Sequence, residues 1–117
     1  MRVMILYRGE SDHLADPEFA AACARFNDEA VAAGLILSGE PLKPSRQAKR
    51  LLRQQGRSLV VDGPFAESRE VIAGFSIWNV DSMEHAIEWM NRHPLPPSSE
   101  QAEFDIYPLY DWEAPKA

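Results

Sequence analysis

The sequence predicts an α+β fold on the ferredoxin-like split βαβ plan, with an added β-hairpin. Three observations carry this. Two amphipathic helical stretches stand far apart, and short β-type runs flank each of them. Two further runs between the helices meet at a Gly-containing turn. The order is therefore β-α-β-(β-hairpin)-β-α-β. A chain of 117 residues fits one domain, read here as residues 1–112 with a loose tail at 113–117.

The first strand, residues 2–7, contains Val-Met-Ile-Leu-Tyr and is apolar on both faces, as a central strand should be. Asp16-Pro17 is a helix start, with Asp as N-cap and Pro at the first helical position. Phe19, Ala22, Cys23, Phe26, Ala30 and Ala33 then make one stripe, and Gly34 supplies the C-terminal cap. The first helix is predicted over residues 17–33, followed by a strand at 35–38. Residues 47–53 and 57–61 read as a hairpin joined at Gln54-Gln55-Gly56.

Residues 75–80 form the next strand. Asp81-Ser82-Met83-Glu84 reads as a capping box with Asp81 as the cap. Met83, Ala86, Ile87 and Met90 form the stripe of the second helix, which Pro94 ends. Residues 103–107 alternate as a last strand. The tail at 112–117 is expected to be loose unless a partner covers Trp112.

With both helices on one sheet face, the other face is left bare by strands that are apolar on both sides. A second copy of the chain, packed sheet to sheet, is the simplest cover.

Composition excludes several classes. Hydrophobic residues are 45% and charged residues 26%, which is globular rather than disordered. No apolar run approaches the ~20 residues of a membrane-spanning helix. The N-terminus carries no recognisable export signal, so a cytoplasmic location is expected. One Cys and no C-x-x-C exclude an internal disulfide and a Cys-rich zinc site.

Net charge is −6, unevenly spread. Between Pro41 and Val61 there are six basic residues and no acid: Lys43, Arg46, Lys49, Arg50, Arg53 and Arg57. The remainder holds 6 basic against 18 acidic residues, a net −12. Such a surface disfavours nucleic acid, and the basic stretch has no aromatic residue on which bases could stack. It reads first as a solvated or self-paired hairpin.

Val60-Val61-Asp62-Gly63-Pro64-Phe65-Ala66-Glu67-Ser68-Arg69-Glu70, followed by Gly74-Phe75, resembles the signature of the YCII-related family in its DGPF branch. Further agreement lies in Ala33-Gly34, in Ser38-Gly39-Glu40-Pro41-Leu42, and around Asp81, Ala86, Glu88 and Trp89. The resemblance spans residues 1–110 or so and implies a dimeric ferredoxin-like α/β barrel, mostly of unassigned activity. Some YciI-type relatives are thought to use a His–Asp pair in a cleft, and DGPF members often accompany sigma factors of the extracytoplasmic-function type. Here the first-helix His of that pair would fall near Cys23, and the helix carries no His.

Asp62 has two readings: a carboxylate fixing the Asp-Gly-Pro turn, or a general base or ligand contact in a cleft. Gly63 is read as supplying backbone freedom, and Phe65 as a core plug in preference to a pocket wall. Tyr7, Ser38 and Glu40, at or just after central strands, are candidate ligand-binding residues together with Phe65 and Arg69. Cys23 reads as a buried, inert thiol. His13 reads as a loop residue, His85 as one on the polar side of its helix, and His93 as a helix-end residue where a cation suits the dipole. The three are not spaced for a metal, and no cofactor is implied. The leading expectation is a small dimeric protein binding a small molecule beside the DGPF turn, with acid–base chemistry at Asp62. The rival is a non-enzymatic regulatory module linked to sigma-factor systems.

Overall fold

The computed structural model describes residues 1–65, 71–97 and 99–111. Four strands, β1 (Arg2–Arg8), β2 (Ile36–Pro41), β5 (Ile72–Asn79) and β6 (Phe104–Pro108), form one sheet in the order β2-β5-β1-β6. All neighbours are antiparallel. Helix α1 (Pro17–Ala32) joins β1 to β2, and α2 (Met83–Met90) joins β5 to β6. Each helix thus connects two parallel strands with a third between them, which is the ferredoxin-like arrangement. The hairpin β3 (Lys49–Gln54) and β4 (Arg57–Asp62) forms a separate two-stranded sheet.

Local chemistry explains the helix limits. Asp16 Oδ2 accepts from the Phe19 N–H at 2.9 Å, with Pro17 in the first turn. Gly34, at φ +75°, ends α1 in the left-handed region that favours glycine. The cap of α2 lies one residue later than predicted. Ser82, not Asp81, accepts from the His85 N–H, while His85 Nδ1 accepts from the Asp81 N–H at 3.0 Å. The extended backbone of Ser82 (φ −161°) aims its hydroxyl at the first turn, and His85 takes the reciprocal part expected of Glu84.

β2 runs on past Ser38 because Gly39 and Glu40 pair with Ser76 and Phe75 of β5. The hairpin turn is two residues, Gln55-Gly56, at φ +50° and +73°, and Gln54 pairs with Arg57. Positive φ at both central residues is the tight turn that matches strand twist.

The core lies between the sheet and both helices. Val3 and Ile5 of β1 and Trp78 of β5 are fully buried against Phe26 and Ala30 of α1 and Ala86 and Met90 of α2. Both helical stripes are narrower than predicted. Cys23 is only half-buried and Ile87 is exposed, because those positions face an open groove. On the opposite sheet face, register places Met4 between Ile77 and Tyr107, and Leu6 between Phe75 and Asp105. No helix among the described residues is long and apolar enough to cross a membrane.

Candidate functional site

A groove of about 1570 Å³ opens between the helix-bearing face of the sheet, α1 and the segment after α2. This exceeds the roughly 300–1,000 Å³ of an enclosing ligand pocket, so only part of it would hold a small molecule. Its floor is made by glycine. Gly39 and Gly74 line it, and β2 and β5 approach so closely there that side chains would not fit. A Cβ on Gly39 would lie 2.8 Å from the Phe75 carbonyl oxygen, and one on Gly74 would lie 2.9 Å from that of Glu40.

Beside these glycines stands a polar cluster. The Tyr7 hydroxyl and Ser76 Oγ are 2.7 Å apart, and the Trp78 Nε1–H donates to the same Ser76 oxygen at 2.7 Å. Ser76 is buried and Trp78 is fully buried, so this oxygen is the indole's partner in place of water. Against this cluster, His93 packs its ring on Phe26 at 4.9 Å, Phe104 at 5.0 Å and Tyr7 at 5.5 Å. Cys23 and Asn27, one turn apart on α1, line the same space.

Burial sets the protonation of this cluster. It pushes the Tyr7 hydroxyl above its ordinary value; hydrogen bonding with Ser76 and Trp78 opposes the shift, and the nearby Cys23 adds to it. Burial also pushes the Cys23 thiol up. It pulls His93 down, against a hydrogen bond to the Pro94 carbonyl. A carbonyl only accepts, so Nδ1, 2.9 Å from that oxygen, carries the proton of the neutral ring and Nε2 is left as an acceptor. At neutral pH the cluster therefore holds a phenol, a thiol and an uncharged imidazole.

The rim is acidic. Glu40, Glu100 and Glu103 line it, Asp105 is paired with Arg8 at 2.5 Å, and Glu10 accepts from the backbone and hydroxyl of Ser45.

A family model described as the YCII-related domain matches residues 1–113. The chain belongs to the YCII-related family. It is also 34% identical over 59 residues to an uncharacterized protein of Rhizobium meliloti (strain 1021), covering 50% of this chain and 48% of that one. It thus spans about half the length of that relative.

In this YCII-related domain the predicted site residues divide. Tyr7 and Glu40 line the groove. Ser38 is exposed on β2, paired with Ile77. Asp62 ends β4 with its side chain 74% exposed and its Oδ1 2.5 Å from Lys49 Nζ, its cross-strand partner. Phe65 is half-buried under the Arg50 guanidinium, 4.1 Å from the ring centroid, and stands outside the core cluster. Arg69 lies outside the described residues, as does the tail from Trp112 onward.

Gly63 does not have positive φ. It is required by space: a Cβ there would lie 1.8 Å from the Ser45 carbonyl oxygen, and its N–H donates to Ala48 at 2.8 Å. The turn thus clamps the base of the hairpin, and Arg46, 3.1 Å from Asp12, adds a second tie.

His93 is a groove residue that sequence reading took only as a helix-end residue, where a cation suits the dipole. The signal was present. Position 93 continues the 83-86-90 spacing into the turn after α2, which keeps its ring on the groove side. His13 lines the groove rim, whereas His85 is engaged at the start of α2. Among the described residues, no three His, Cys, Asp or Glu side chains converge as a metal site.

Proposed function

We propose that this YCII-related protein binds a small neutral or basic aromatic molecule in the groove, against Tyr7, Ser76 and His93. The observation that carries the reading is the part-buried Tyr7–Ser76 hydroxyl pair at 2.7 Å, with the neutral His93 ring packed against Tyr7 at 5.5 Å on the wall of the groove. Aromatic walls supply apolar area, the hydroxyls and Nε2 orient polar atoms, and the acidic rim repels anions. The acid–base role expected of Asp62 is better served here. His93 Nε2 is poised to take a proton from a bound weak acid, and the Tyr7 hydroxyl to donate a hydrogen bond to the charge that develops. The ion-paired, exposed Asp62 serves the hairpin base in this reading.

We further propose a homodimer through the bare sheet face, on the stripe Met4, Leu6, Phe75, Ile77 and Tyr107, in a protein of the cytoplasm. The test of the ligand reading is a thermal-shift screen of aromatic amines, phenols and aromatic carboxylates. Amines or phenols should stabilise the wild type, and Tyr7→Phe or His93→Gln should remove the gain. Stabilisation by carboxylates alone, or gains indifferent to both substitutions, would refute the reading.

A further inference from the structure

We propose that the β3–β4 hairpin is an arm that docks on a second copy of this chain, separately from the sheet-face contact. Its register puts Leu51 opposite Val60 on one face and Leu52 opposite Leu59 on the other. Their exposures are 60%, 57%, 38% and 60% respectively, so both faces of the ribbon are bare. A hairpin folded back on its own body would hide one of them. A two-stranded ribbon alone is marginal in water, and this one shares no ladder with the four-stranded sheet. The chain is correspondingly spread: its radius of gyration is 16.4 Å, where roughly 13 Å suits a compact chain of this length.

Charge selects the occupant. The arm and its approach carry six basic residues between Pro41 and Val61, of which Lys49 pairs with Asp62 at the arm's base and Arg46 with Asp12, while the chain outside that stretch is −12. A basic arm and an acidic body on one chain are complementary to the same pair on another copy. Each chain has one of each, so a two-fold pair satisfies both contacts and closes. The arm's base is held for this by Gly63 against Ser45 and by the Glu10–Ser45 bonds, so it projects from a fixed point.

Sedimentation equilibrium of the full chain and its variants tests the proposal. The wild type should dimerise at roughly 10 μM protomer, with the dissociation constant rising at least about tenfold on moving from low to high salt. Leu51→Asp with Val60→Asp, or Leu52→Asp with Leu59→Asp, should each weaken the dimer about 100-fold or more. Circular dichroism should stay unchanged.

Should those variants misfold, amide exchange on the wild type decides: exchange at Leu52 and Leu59 should slow as concentration rises. A wild-type monomer, a dimer untouched by both arm variants, or concentration-independent exchange overturns the proposal. So does a monomer that binds duplex DNA in a salt-dependent way. Loss of the dimer in Ile77→Asp but not in the arm variants overturns the arm alone. The converse result overturns the sheet-face contact alone.

Discussion

Replacing Ser76 with alanine removes one oxygen that serves two partners. The fully buried Trp78 Nε1–H loses its acceptor at 2.7 Å, and the Tyr7 hydroxyl loses its neighbour at 2.7 Å. Leaving a buried donor unsatisfied costs about 1–3 kcal/mol, and a lost hydrogen bond with a half-exposed group about 0.5–1.5 kcal/mol. Together Ser76→Ala should cost ~2–4 kcal/mol. Tyr7→Phe breaks only the second bond and leaves the indole satisfied, so it should cost ~0.5–1.5 kcal/mol. The smaller deletion is therefore the more damaging one. Urea denaturation followed by tryptophan fluorescence, at fixed protomer concentration, measures both. In a Trp78→Phe background the cost of Ser76→Ala should fall by ~1–2 kcal/mol, since no buried donor remains. A Ser76→Ala cost equal to or below that of Tyr7→Phe, or one unchanged by Trp78→Phe, would refute the reasoning that one oxygen serves both partners.

His93 is held below the ordinary histidine value, so on acidification the unfolded chain takes up a proton there before the folded one. Its contribution is complete above the unfolded value near pH ~6.5 and is lost as pH falls toward the folded value. Stability should drop on acidification through that window, and His93→Gln should flatten the drop. Gly63→Ala should cost ~1–3 kcal/mol by overpacking, because its Cβ meets the Ser45 backbone, whereas Asp62→Asn and Asp62→Ala should both cost under ~1 kcal/mol as loss of an exposed ion pair. Thermal melts of the three variants check this order. Ser82→Ala should lose ~1 kcal/mol as loss of the α2 cap, and Asp81→Ala less; equal losses would return the cap to Asp81.

The fold was legible because each element is punctuated by local chemistry. Asp16-Pro17 and Gly34 bound α1, Gln55-Gly56 closes the hairpin, and β-type runs sit where strands form. The order of elements then leaves the split βαβ arrangement as the simple topology. Of the candidate groove, Tyr7 and Glu40 were legible in the sequence. Asp62 stood out because Asp-Gly-Pro-Phe is an unusual string, but an unusual string marks tight backbone packing as readily as chemistry. Here Gly63 presses on Ser45. Ser76 was hidden, and His93 showed only in its spacing after Met90, for a different reason. A serine in an apolar strand and a histidine before a proline become a site only when the sheet brings Tyr7 and Ser76 together and the chain after α2 folds back on Phe104. That juxtaposition spans 69 residues between Tyr7 and Ser76 and has no local signature.

Chemical-shift mapping with an aromatic amine as probe tests the central claim most directly, by following backbone amides together with the His93 imidazole nitrogens. The expected result is a saturable set of shifts at Tyr7, Cys23, Ser76 and His93, with Nδ1 protonated and Nε2 changing on binding, while Asp62 and Gly63 stay still. Shifts centred on residues 61–65, with His93 unmoved, would contradict it.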